Sequence, residues 1–278
     1  MRTISVDSFD CYIPLELQSR LAPVCSSLRV VAIDCAQSTL IIPLLQDVEV
    51  LVLGFEVTGE PPPGSDPSNM VATSAPLHLD NLTHLRIAVG EIDAAPGELL
   101  PRIFQVIDIG KLVGLELLYD AGDPEFLRLA SVIPSLDSLR SFKIHQYDEE
   151  DEWIPGALES ALGGLRRVRL EHLQLSWWPS LDLLSTLPPT LVSLIVNFDH
   201  LPSHGNISSE LLFTAALGWK KRYFPGLRVL GVVSHQLQLA DNVAQLDELS
   251  ALMGQAEDFE FRLHKGSSYY PGRWDGRT

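Results

Sequence analysis

The chain has 278 residues, 46% of them hydrophobic, which is enough apolar material to bury a substantial core and excludes disorder throughout. Acidic residues outnumber basic ones 36 to 20, giving a formal net charge of −16. Coulomb repulsion therefore excludes a protein held to nucleic acid or anionic lipid by its overall field, and any polyanion site would have to be local.

The N-terminal MRTISVDSFDCYIPLEL has no charged region followed by an apolar run, and no apolar stretch of about 20 residues occurs anywhere in the chain. The expectation is a soluble protein of the cytoplasm or nucleus, without a membrane partner. Cys11, Cys25 and Cys35 form no CxxC pair and have no accompanying histidine cluster, so they read as reduced core thiols rather than zinc ligands. The sequons at Asn81 and Asn206 would matter only in a secreted chain.

In chain order, one phrase recurs: apolar-x-x-apolar-x-apolar. Ile4/Val6 opens the series, and Leu28/Val31/Ile33 and Val48/Leu51/Leu53 follow. A proline-rich stretch at 60–76, EPPPGSDPSNMVATSAP, then reads as a loop insertion. The phrase resumes at Leu82/Leu85/Ile87, Leu112/Leu115/Leu117, Leu139/Phe142/Ile144 and Leu165/Val168/Leu170. Leu191/Leu194/Val196, Leu227/Leu230/Val232 and the weaker Phe259/Phe261 complete it. Spacings of about 20 to 36 residues fall within or just above the range of leucine-rich repeats.

Each phrase ends in period-2 alternation, which buries one face of a short strand. Between phrases the period becomes helical. Asp123-Pro124-Glu125 offers an N-cap, a proline at the first helical position and an acidic first turn, followed by an apolar stripe from Phe126 to Ile133. Asp241 precedes a similar stripe that ends at Gly254. Weaker helices are expected over Gly97–Ile107, Pro155–Leu162, Ser180–Leu187 and Ser209–Tyr223. The predicted fold is α/β: a solenoid with a parallel sheet on its concave side and helices on its convex side, covering 1–264, with 265–278 as a tail.

The strand entries LPPTLVSLIV (Leu187 to Val196), FPGLRVLGVV (Phe224 to Val233) and SLDSLRSFKI (Ser135 to Ile144) resemble those of leucine-rich-repeat proteins, especially the irregular repeats that follow an F-box in many fungal proteins. The resemblance covers Leu28 to Leu263. The Asn or Cys of the regular repeat is replaced by residues such as Ala36, Glu56, Asp120 and Leu173, which predicts irregular curvature, and no F-box is read before Leu28. The resemblance implies protein recognition, with substrate selection for a cullin-type ubiquitin ligase and its adaptor as the associated partner.

Outward positions on the middle strands collect Arg86, Glu116, Lys143, His145, Arg167, Arg169 and Glu171, a locally basic strip in an acidic chain. Neighbouring strands lie about 4.8 Å apart, so Lys143, Arg167 and Arg169 are expected to converge on one acidic group of a protein partner. The alternative is a solvated face, its arginines paired with Glu116, Glu171 and the acidic run Asp148 to Glu152. Of the adjacent Trp177 and Trp178, one is expected in the core and the other, Trp178, as a cap or interface anchor beside Arg169.

Asp148 to Glu152 lacks the alternation of a calcium loop, and His200 and His204 read as loop residues, so no metal or cofactor is expected. No GxSxG, HExxH, GxxxxGK[ST] or GxGxxG motif occurs, and an enzyme is not expected. Two other readings remain: an enzyme with a strand-end carboxylate and histidine site, and a structural solenoid within a larger assembly.

Overall fold

The computed structural model describes residues 3–6, 30–34, 47–55, 79–89, 109–119, 136–146, 159, 162–197, 209–234 and 259–265. The chain divides into two compact units, Met1–Leu170 with Thr186–Pro188, and Glu171–Ser185 with Pro189–Thr278.

In the first unit the strands are β1 (Thr3–Val6), β2 (Val30–Asp34), β3 (Val50–Phe55), β4 (His84–Val89), β5 (Gly114–Tyr119) and β6 (Ser141–Gln146). Each pairs parallel with the next in the chain. Parallel neighbours need a connection of about a dozen residues or more, which the spacing of the phrases supplies. The register stacks the phrases on one another: Leu51, Leu85, Leu115 and Phe142 form one interior row, and Ile87, Leu117 and Ile144 the next. Leu51, Leu85, Leu115 and Phe142 are at most 2% exposed. At about 25 cal/mol per Å² of buried apolar surface, each such side chain contributes about 1.5–3 kcal/mol.

The second unit repeats the scheme with β7 (His172–Leu175), β8 (Ser193–Asn197), β9 (Val229–Ser234) and β10 (Glu260–Lys265), again parallel and in chain order. Its interior rows are Leu173, Leu194 and Leu230, and Leu175, Val196 and Val232, all buried. Two helices lie among its described residues. Helix α1 (Leu181–Thr186) starts where Ser180 Oγ accepts a hydrogen bond from the Leu183 amide at 3.0 Å, an N-cap, and it buries Leu183 and Leu184. Helix α2 (Ser209–Arg222) buries Trp219 and ends on a basic turn, where Lys220 Nζ donates to the Leu227 carbonyl at 2.8 Å. The expected helices over Ser180–Leu187 and Ser209–Tyr223 are thus present.

A tight turn precedes many of the strands. The amides of Leu82, Leu112, Leu139, Val168 and Leu227 each donate to the carbonyl three residues back, at 2.9–3.1 Å. The last residue before the strand then accepts two amides from the next repeat: Thr83 O from Val113 and Gly114, Val113 O from Arg140 and Ser141, Glu171 O from Val192 and Ser193. These bonds satisfy backbone groups at the strand entry that would otherwise be orphaned.

One strand is displaced from its expected position. Leu165, Val168 and Leu170 match the repeated phrase, but so do Leu170, Leu173 and Leu175, and the second frame is the one adopted. Gly163–Arg167 forms a 3-10 turn and the strand is His172–Leu175. All five apolar residues are at most 4% exposed in this frame, because the turn buries Leu165 and Val168 while the strand buries Leu173 and Leu175. A strand drawn through Leu165, Val168 and Leu170 would spend only three of them.

The expected helices at Gly97–Ile107, Asp123–Ile133 and Asp241–Gly254, most of Pro155–Leu162, the proline-rich loop at 60–76 and the tail beyond Lys265 lie outside the described residues. So do Cys11, Cys25, Cys35, the acidic run Asp148 to Glu152, His200 and His204. Among the described residues, no helix is long and apolar enough to cross a membrane, and no group of three or more His, Cys, Asp or Glu is placed to hold a metal.

Candidate functional site

Alternation along β4, β5 and β6 turns the residues between the interior leucines to the opposite face of the sheet. Register places Arg86, Glu116 and Lys143 side by side there, one on each strand. Arg86 Nε lies 3.6 Å from Glu116 Oε1, and His145 Nε2 approaches the same oxygen at 3.8 Å. Both distances exceed hydrogen-bond length, so the Arg86 contact is Coulombic, and that of His145 becomes an ion pair only when the imidazole is protonated. The group is sheltered: the side chains of Arg86, Glu116 and His145 are only 11%, 18% and 11% exposed.

Burial sets the protonation of the histidines. Desolvation is the largest influence on His145; Lys143 and Arg86 reinforce it and Glu116 opposes it, and the pKa falls to about 4. His84, at the start of β4, is also lowered, by burial and then by Lys143. Its Nδ1 sits 2.9 Å from Thr83 Oγ1, which in turn lies 3.2 Å from the Glu49 carbonyl. The threonine has a single hydroxyl proton and the carbonyl can only accept. Thr83 therefore donates to Glu49 O and accepts from His84 Nδ1–H. The His84 ring lies over Gly114, its register partner on β5, where a Cβ would collide with Cδ2.

With both histidines neutral, Arg86 and Glu116 offset one another, and Lys143, which is exposed, supplies the net positive charge of the row. Arg86, Lys143 and His145 are therefore brought together, as their strand positions predict. Arg167 and Arg169 are not part of that group. With β7 displaced, Arg167 ends the 3-10 turn and Arg169 lies in the lead-in to the strand. The convergence of Lys143, Arg167 and Arg169 on neighbouring strands is thereby corrected. Both arginines are exposed, as is Arg166. Arg140, which the strand pattern leaves unremarked, donates from Nη1 to the Arg169 carbonyl at 3.1 Å.

Glu171 precedes β7 and uses its carbonyl to receive β8. Trp177 is 2% exposed, whereas Trp178 is half-buried and meets Trp219 of α2 with ring centroids 4.8 Å apart and planes tilted by 50°. That contact ties Trp178 to the packing of the second unit, as a cap over a helix. The row equivalent to Arg86, Glu116 and Lys143 is Gln174, Ile195, Gly231 and Arg262 in the second unit, uncharged on β7, β8 and β9 and charged on β10.

No family model matches the sequence, and no curated protein matches it as a relative.

Proposed function

We propose that the chain is a leucine-rich-repeat-like solenoid that recognises a protein partner carrying an acidic segment. The observation that carries this reading is the in-register ladder of parallel strands, whose interior rows are uniformly apolar while the opposite row changes chemistry from strand to strand. A ladder of that kind holds side chains at fixed spacing over a long surface, which suits extended binding to a macromolecule. The sheet would line the concave side and helices the convex side. The cations available to a partner are Lys143, Arg167 and Arg169, which are exposed, with Arg86 neutralised by Glu116.

The resemblance to repeats that follow an F-box extends the proposal to substrate recognition for a cullin-type ubiquitin ligase, with the ligase adaptor as a second partner. Among the described residues, the arrangement that favours an enzyme is the approach of His145 to Glu116. Arg86 shares the same carboxylate oxygen, so the histidine lacks an exclusive orienting partner, and recognition is the stronger reading.

Affinity capture on the full chain, with identification of what binds, tests it. The expected result is a stoichiometric, acidic partner that is released by raised ionic strength and lost on combined Lys143→Glu, Arg167→Glu and Arg169→Glu substitution. A partner retained unchanged by that triple variant sinks the proposal. Recovery of the ligase adaptor tests the narrower extension.

A further inference from the structure

We infer that the acidic segment docks on the strand-entry edge of the first unit, on Arg166, Arg167 and Arg169 braced by Arg140, rather than on the sheet face around Lys143. The inference rests on the recognition reading above and names where that recognition occurs.

The edge is built of repeated turns, and comparison among them separates what the fold requires from what it does not. Each turn closes with an amide donating to the carbonyl three residues back, leaving a two-residue tip between. The tips are Asp80-Asn81, Gly110-Lys111, Asp137-Ser138, Arg166-Arg167 and Pro225-Gly226. Four of the five contain Asp, Asn, Ser, Gly or Pro, residues whose side chains or backbone freedom favour turns. Arg166-Arg167 instead ends the 3-10 turn Gly163–Arg167, which closes four positions before its strand rather than two, and both side chains are exposed.

The arginines are also held out on a fixed backbone. Leu165, Val168 and Leu170 are each at most 4% exposed and anchor the segment between them, leaving Arg166, Arg167 and Arg169 exposed. Arg140 Nη1 fastens the Arg169 carbonyl at 3.1 Å and brings a fourth guanidinium to the cluster. A fixed backbone lowers the ordering cost of binding, and each planar guanidinium can grip a carboxylate with two parallel hydrogen bonds.

Local neutralisation is the competing account, and the edge itself argues against it. Elsewhere the tips pair across repeats: Asn81 Nδ2 donates to Asp47 Oδ1 at 3.4 Å, and Lys111 Nζ reaches Asp80 Oδ1 at 3.3 Å. Among the described residues, Arg166, Arg167 and Arg169 make no such ion pair.

The test titrates the full chain with a fluorescein-labelled Glu-rich peptide, its Gln counterpart and a single-stranded oligonucleotide. Two variants are compared: Arg166→Gln/Arg167→Gln/Arg169→Gln, and Lys143→Gln. All four positions are exposed, and matching denaturation curves verify the folds. We expect the Glu peptide to bind in preference to the Gln peptide and the oligonucleotide. The triple variant should weaken it by about ten- to a hundredfold, and Lys143→Gln by less than about twofold. Wild-type affinity in the triple variant, with loss in Lys143→Gln, overturns the edge while leaving acidic recognition intact. Equal binding of the Glu and Gln peptides overturns both. Tighter binding of the oligonucleotide overturns the choice of a protein segment.

Discussion

Between the two interior residues of each strand, β4, β5 and β6 of the first unit place Arg86, Glu116 and Lys143, and β7, β8 and β9 of the second place Gln174, Ile195 and Gly231. The backbone pairing is the same and the interior rows differ only in which apolar residue fills them. What changes is the opposite face, which is charged and contains a desolvated histidine on β4, β5 and β6 and is uncharged in the same row of β7, β8 and β9. A repeated strand scaffold therefore separates two tasks: leucines at alternate positions hold the ladder, and the intervening positions are free to diverge. If that separation holds, interior substitutions should cost alike in both units, while outward substitutions should not.

The largest effects are expected in the interior. Phe142→Ala in β6 and Leu194→Ala in β8 remove side chains that are 1% and 0% exposed. Each should destabilise its unit by about 3–5 kcal/mol, from lost transfer energy plus the cavity left behind. Urea denaturation followed by a probe in each unit measures this. A cost below about 1 kcal/mol for either would break the equivalence of the two interiors.

A pH effect of intermediate size should distinguish the faces. His145 titrates near 4 when folded and, as an ordinary histidine, near 6.5 when unfolded. Between those values the unfolded chain binds more protons, so stability is greatest above the unfolded pKa, falls with pH through this window and levels off below the folded pKa. The full drop is about 3 kcal/mol. In His145→Gln this contribution to the slope of denaturation free energy against pH should vanish. The corresponding residues of β7 and β8 are Ser176 and Asn197, which do not titrate in this range, while β10 carries His264 at that position. An unaltered slope in His145→Gln would place the desolvation elsewhere.

The interior rows were legible in the sequence because burial imposes a rigid spacing, apolar at i, i+3 and i+5, that no loop requirement disturbs. The same permissiveness caused the displacement of β7, where Leu165 to Leu175 satisfies the pattern in two overlapping frames and only packing the surplus leucines into a turn decides between them. The neighbourhood of Arg86, Glu116, Lys143 and His145 follows from stacking the phrases in register. The lowered pKa of His145 does not, because desolvation depends on how deeply the finished face is sheltered. Arg140 was equally invisible: its partner is a backbone carbonyl, and carbonyls have no residue signature.

The smallest expected effect concerns two glycines, and it is the most discriminating. Gly114 begins β5 beneath the His84 ring, and a Cβ there would collide with Cδ2. Gly231 occupies the corresponding row on β9, where a Cβ would lie 3.1 Å from Ile195 Cγ1 and 3.4 Å from Cγ2. Alanine at either site lowers the entropy of the unfolded chain, a gain of about 0.4–1 kcal/mol where the fold tolerates it. Half-buried Ile195 needs to yield only a few tenths of an ångström, so Gly231→Ala should fall within about 0.5 kcal/mol of wild type. In Gly114→Ala the imidazole must leave its place, breaking its hydrogen bond to Thr83, at a net cost of about 1 kcal/mol. The displaced ring regains water, so His84 followed by NMR should titrate closer to an ordinary histidine than in the wild type. If the His84 titration is unchanged in Gly114→Ala, the ring is not what fills the space above Gly114, and the outward face of the first unit is less closely packed than its ion pair requires.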